Sequence, residues 1–159
     1  MPTFILITRI HAPVEICFDL ARSIDLHLET MKSTGEKAIA GVTSGLIGHG
    51  ETVTWRARHF GVQMELTSKI TECSFPNVFT DEMVKGPFKK LLHKHVFEVK
   101  DGLTLMVDEF SFESPFGLIG KLVDCLFLKM YMQKLIMHRN EVIKRRAELT
   151  TLKQYQHEK

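Results

Sequence analysis

Between residues 35 and 113 the chain repeats one pattern: a run rich in alternating apolar, β-branched or aromatic residues, then a turn. The runs cover 35–43, 51–60, 62–73, 77–85, 88–99 and 103–113. Turn-forming residues separate them: Gly45, Gly48 and Gly50, then Gly61, Pro76-Asn77, Gly86-Pro87 and Asp101-Gly102. Connections this short join antiparallel neighbours, because a parallel pair needs a longer crossover. A further strand, TFILITRI, is expected at residues 3–10. From Pro13 to Met31 apolar residues recur at helical spacing, and Ser23 can cap a second helix, so two short helices are expected there. Residues 117–149 contain no proline and end in Lys144, Arg145 and Arg146, which complement a helix dipole. One long helix is expected, followed by a polar tail, 150–159, that frays.

Strands and helices that segregate in this way define an α+β chain. Its seven-stranded, curved antiparallel sheet would wrap the long C-terminal helix, with two short helices after strand 1. A single helix closing such a sheet leaves a void suited to a ligand. With 44% hydrophobic residues the chain can build one core, so residues 1–149 are read as a single domain. The formal charge of +2 gives no general attraction for nucleic acid. No secretory leader is visible at the N-terminus, and no apolar run is long enough to span a membrane, which favours the cytoplasm. Cys17, Cys73 and Cys125 are odd in number and form no CxxC pair, so reduced thiols are expected.

The stretches IHAPVEICFDLARSIDLH, GETVTWRARHFG, KITECSFPNVFTDEM and GLTLMVDEFSFESPFGLIGKLVD, in this order, resemble the START-related lipid-binding superfamily (SRPBCC). That superfamily includes the birch-pollen allergens and polyketide cyclases. The resemblance runs from residue 3 to about 145 and is nearest to a bacterial subgroup of uncharacterised proteins, some labelled cell-division inhibitors. Its most specific pieces are Ala12-Pro13 through Phe18, Pro76, and Ser114-Pro115-Phe116-Gly117. It implies a helix-grip fold. Because the superfamily contains carriers, receptors, cyclases and chaperone co-activators, it implies no single reaction.

Alternation assigns the strand faces. Val53, Trp55, Ala57 and His59 should point inward, as should Val62, Met64, Leu66 and Ile70, and Leu91, His93, His95, Phe97 and Val99. On the last strand the set Met106, Asp108, Phe110 and Phe112 is preferred, and Asp81 joins it from the fifth. On the long helix, 100° per residue places Ile119, Leu122, Val123, Leu126, Phe127 and Met130 inward, and Lys121, Asp124, Lys129 and Arg139 outward. The ligand cavity is therefore expected to use Trp55, His59, Met64, Asp81, His93, His95, Phe97, Met106, Asp108, Phe112, Leu122, Leu126 and Met130. Such a surface suits a hydrophobic ligand with one or two polar groups, since a buried polar atom left unmet costs roughly 1–3 kcal/mol.

His93 and His95 alternate on one strand and could share an ion, but no sharply spaced third ligand accompanies them, so no metal or other cofactor is expected. Paired with Asp108, either could instead move a proton, or the three could simply satisfy one another. The glycine-rich loop at 41–50 lacks a GK[ST] ending and a following helix, and is read as a connection at the cavity rim. Arg56 and Arg58 are read as an outer face partly neutralised by Glu65. Cys125, Leu128, Met132 and Leu135 form an apolar seam on the outer side of the long helix, to be covered by loops, by a second copy in a homodimer, or by a membrane surface.

These features favour a carrier or sensor for a lipid, polyketide-like or aromatic compound. Two rivals remain: a cyclase, dehydratase or hydrolase using an inward histidine, and an interaction module acting through the outer helix face.

Overall fold

The computed structural model of the chain describes residues 1–115 and 127–157. Strand β1 (Thr3–Ile10) leads into α1 (Val14–Ala21) and α2 (Ile24–Thr30). There follow β2 (Lys37–Gly41), β3 (Thr52–His59), β4 (Val62–Ser74), β5 (Val78–Lys85), β6 (Lys90–Lys100) and β7 (Leu103–Glu113), and then α3 (Lys129–His157). The sheet has seven strands in the order β1-β7-β6-β5-β4-β3-β2, and every pairing is antiparallel. This is the expected α+β helix-grip architecture. Ser23 caps α2 by accepting a hydrogen bond from the Leu26 amide at 3.2 Å, the stabilisation open to a short helix whose first amides lack partners.

The alternation holds through the middle of β3, β4 and β6 and fails at two ends. Val62 is 56% exposed and Val99 is 68% exposed. Both adjoin hairpin turns. The preferred face of β7 is the buried one: Met106, Asp108, Phe110 and Phe112 are all inside. On the outer face Arg56 Nε donates to Glu65 Oε1 at 2.9 Å.

The loop at 41–50 is not at the cavity rim. Its Ile47 side chain is buried in the core, and the Gly45 and Gly48 amides donate to the Asp25 and Glu51 carboxylates. These amides are therefore already matched to anions within the chain. Cys17 is fully buried and Cys73 is partly exposed, both as free thiols. Burial pushes the Cys17 thiol up to about 11, which keeps it protonated and unreactive. Cys125 lies outside the described residues.

The final helix differs from expectation in length and in phase. It continues through His157, into the segment expected to fray. There Thr151 is buried and its hydroxyl donates to the Ala147 carbonyl. Phe127 and Met130, expected inward, are 54% and 57% exposed, whereas Leu128, Met132 and Leu135 of the supposed outer seam face the interior. Arg139, expected in solvent, is only 7% exposed. The described part of this segment opens on a π-type turn at Phe127 and Leu128. A π turn holds more residues than an α turn, so a count at a uniform 100° does not carry through it. The remaining inward expectations, Ile119, Leu122, Val123 and Leu126, lie outside the described residues.

Two apolar clusters fill the space between sheet and helices. The larger packs Phe18 of α1 against Phe79 and Phe97, each at a ring distance of 5.3 Å, together with Met106, Ile143 and Ala147. The smaller joins Phe4, Leu91, Phe110, Phe112 and Ile136. The interior is thus solid beneath the C-terminal half of α3 and looser beneath its first turns.

Candidate functional site

A cavity of about 300 Å³ lies beneath those first turns, between α3 and the concave face of β3 to β7. Its apolar wall includes Ala57, Met64 and Leu66 from β3 and β4, and Leu91 and Phe110 from β6 and β7. Leu128, Met132, Leu135 and Ile136 close it from the helix. Trp55, Met31 and His27 form one end, with the His27 ring stacked on Trp55 at 4.2 Å.

Polar side chains enter this wall from several elements. His27 Nε2 lies 2.8 Å from Glu36 Oε1. His59 Nδ1 and the Tyr131 hydroxyl share a hydrogen bond of 2.7 Å. Burial lowers the His59 pKa and raises that of Tyr131, so both favour their neutral forms. Phe60, next to this pair, packs on Tyr131 at 4.7 Å and on Phe127 at 5.3 Å. Phe60 has φ 52° and Gly61 has φ 77°. The β3–β4 turn therefore places a bulky aromatic in the left-handed region, where asparagine or glycine is usual. What this arrangement achieves is an aromatic ring at the cavity wall.

Asp108 organises the floor of the site. It has no exposed surface. His93 Nε2 is 2.8 Å from its Oδ1, and the Asn140 amide donates to its Oδ2 at 2.6 Å and to Thr8 Oγ1 at 3.2 Å. His95 Nδ1 lies 2.9 Å from the same Oδ1, but out of line for a hydrogen bond, and it is left without a partner. Burial alone would raise the Asp108 carboxyl; the His93 hydrogen bond and the closeness of both imidazoles outweigh it and hold the group well below the usual range. An ionised carboxylate only accepts, so His93 Nε2 carries the shared proton. Burial, with the His93 charge beside it, pushes His95 down to about 3 against the pull of Asp108, so His95 stays neutral. It is stacked beneath Phe79 at 4.1 Å.

Among the described residues, His93, His95 and Asp108 are the group with a metal-binding composition, their donor atoms lying within 4.8 Å of one another. Separations of 2.8 and 2.9 Å to a single oxygen are hydrogen-bond distances, and Asn140 occupies the other oxygen. A metal could bind only by displacing these contacts, so the geometry favours a polar cluster centred on the Asp108 carboxylate.

Two further groups are less well satisfied. Asp81 lies on the wall opposite His93 in the β5–β6 register, and its Oδ1 is sealed from solvent with no partner among the described residues. Burial raises its pKa, against the charges of His93, His27 and Arg139. Arg139 reaches the cavity from α3, and one of its terminal nitrogens donates to the Ala21 carbonyl.

Of the expected ligand-binding residues, Trp55, His59, Met64, Asp81 and His93 do line the cavity. Asp108 and His95 stand immediately behind His93. Phe97 and Met106 belong to the solid cluster and Phe112 to the smaller one. Met130 is on the surface, and Leu122 and Leu126 lie outside the described residues. Sequence reasoning missed Arg139, Tyr131, Phe60 and the His27–Glu36 pair. The Phe-Gly turn, unusual where Asn-Gly would be expected, was the one legible signal among them.

No family model matches the chain, and no curated protein matches it. Solved structures do. TTHA0849 from Thermus thermophilus superposes with a TM-score of 0.75 at 18% identity, over 94% of this chain and 99% of that one. A START superfamily protein from Mycobacterium smegmatis gives 0.68 at 12% identity, over 94% and 99%. The ginseng major latex-like protein 151 from Panax ginseng gives 0.67 at 14% identity, over 92% and 97%. The chain thus shares the helix-grip fold of these structures. At these identities the likeness is one of fold, and none of the three names carries a cell-division role. No described helix is long and apolar enough to cross a membrane.

Proposed function

We propose that this protein binds a hydrophobic small molecule in the cavity between sheet and final helix, as a cytoplasmic carrier or sensor. One observation carries the reading: among the described residues, close apolar packing gives way beneath the first turns of α3 to a cavity of about 300 Å³, lined by Met, Leu, Phe and Trp together with several polar groups. That size and composition are characteristic of small-molecule sites. Native mass spectrometry of freshly purified protein should show an adduct of small-molecule mass that is released on denaturation. Adduct-free protein that also fails to take up any apolar probe would refute the reading.

The chain Asn140–Asp108–His93 favours a second reading. A buried carboxylate held by an amide and bonded to a cavity-facing histidine fixes that ring's orientation, as acid–base catalysis requires. In that case the bound compound is converted, and His93→Gln abolishes conversion while retaining binding. A compound recovered unchanged from prolonged incubation with the native protein would leave the carrier reading alone.

A further inference from the structure

Among the described residues, Arg139 is a buried cation without a matched anion. It is 7% exposed and lines the cavity, and its one hydrogen bond among the described residues goes to the Ala21 carbonyl. No described carboxylate lies within ion-pair distance of it. The acids that it senses from farther away are Asp108, Asp81 and Glu36. Asp108 is engaged by His93 and Asn140, and Glu36 by His27. That leaves Asp81, whose Oδ1 is sealed and unbonded.

A guanidinium has five donors in a planar fork that matches a carboxylate, and a buried charge without its partner is unfavourable. We propose that the ligand carries an anionic head group, a carboxylate or similar oxyanion, received by Arg139 and Asp81 at one end of the cavity. This deepens the cavity-ligand reading and rests on it. Burial raises the Asp81 pKa, which lessens its repulsion of an oxyanion. Leu66, Leu91, Met132 and Ile136 then receive an apolar body. The ligand class is an amphiphilic acid, with an aromatic or branched body compact enough for about 300 Å³.

The test compares 1-pyrenebutyric acid with its neutral amide, titrated by fluorescence at neutral pH. The native protein should prefer the acid by about tenfold or more, the scale of a buried charge-assisted contact. Arg139→Met should remove that preference by weakening the acid alone, and Arg139→Lys should keep part of it. Equal affinities in the native protein, or a preference that survives Arg139→Met, would overturn the proposal while leaving the cavity reading intact. Failure of both probes to bind would remove the two together. Should Arg139→Met not fold, the native comparison and Arg139→Lys still decide.

Discussion

A carboxylate with no exposed surface persists only where its oxygens are occupied, and those of Asp108 face His93 on one side and Asn140 on the other. Asp108→Asn would keep the shape but remove the charge and set an amide N–H against existing donors. It should cost about 3 kcal/mol in urea unfolding, as loss of one partner from a buried charged network does. A change under about 1 kcal/mol would mean that the cluster is not structurally important. His95 governs a different pH range. Its folded pKa of about 3 lies below the ordinary 6.5, so between those values the unfolded chain binds a proton that the folded chain refuses. Its stabilising effect is complete above pH 6.5 and drains away as the pH falls toward 3. Asp108, also depressed, adds a loss that begins below its ordinary value of 3.8. Asp81, which is raised, opposes both, since its contribution is present at low pH and lost as the pH rises through its folded value. The urea midpoint should therefore fall between pH 7 and pH 4.5, and His95→Phe, which preserves the stack on Phe79, should flatten that slope. An unchanged slope in the variant would contradict this role for His95.

At the scale of elements, the final helix presents a different surface to the cavity from the one expected. Leu128, Met132 and Leu135 wall the cavity, and Met137 stands outside at 57% exposure. Leu128→Glu should weaken binding of a neutral apolar dye by roughly tenfold or more, about 1.4 kcal/mol, whereas Met137→Glu should leave it unchanged. A shift in oligomeric state with unaltered dye binding, measured by ultracentrifugation and titration, would restore the outer-seam reading. The strands were legible because period-two alternation and turn residues report the same boundaries twice. The helix phase was not, because a π-type turn such as that at Phe127 and Leu128 leaves no mark in an apolar sequence. Arg139 was misread for a related reason: a long cation on a helix looks solvated until its neighbours are known.

For the molecule as a whole, the distinction is between its solid and hollow parts. Alternation correctly gave the inward faces of Trp55, His93 and Phe97, but a face does not report depth along the strand. Phe97 is therefore packed under α1 while His93 borders space. The His27–Glu36 pair was hidden because its members come from different parts of the fold, α2 and the approach to β2. A true void also predicts tolerance of added volume. Ala57→Leu, on the cavity wall, should change stability by under about 1 kcal/mol, where a close-packed core would lose 1–3 kcal/mol. The most direct measurement is a titration of native protein and Ala57→Leu with the neutral dye N-phenyl-1-naphthylamine, each first shown to be folded by circular dichroism. The account predicts saturable one-to-one binding to the native protein and its loss in the folded variant. Absence of binding to the native protein, or equal binding to both, would contradict the claim that this fold is built around a ligand cavity.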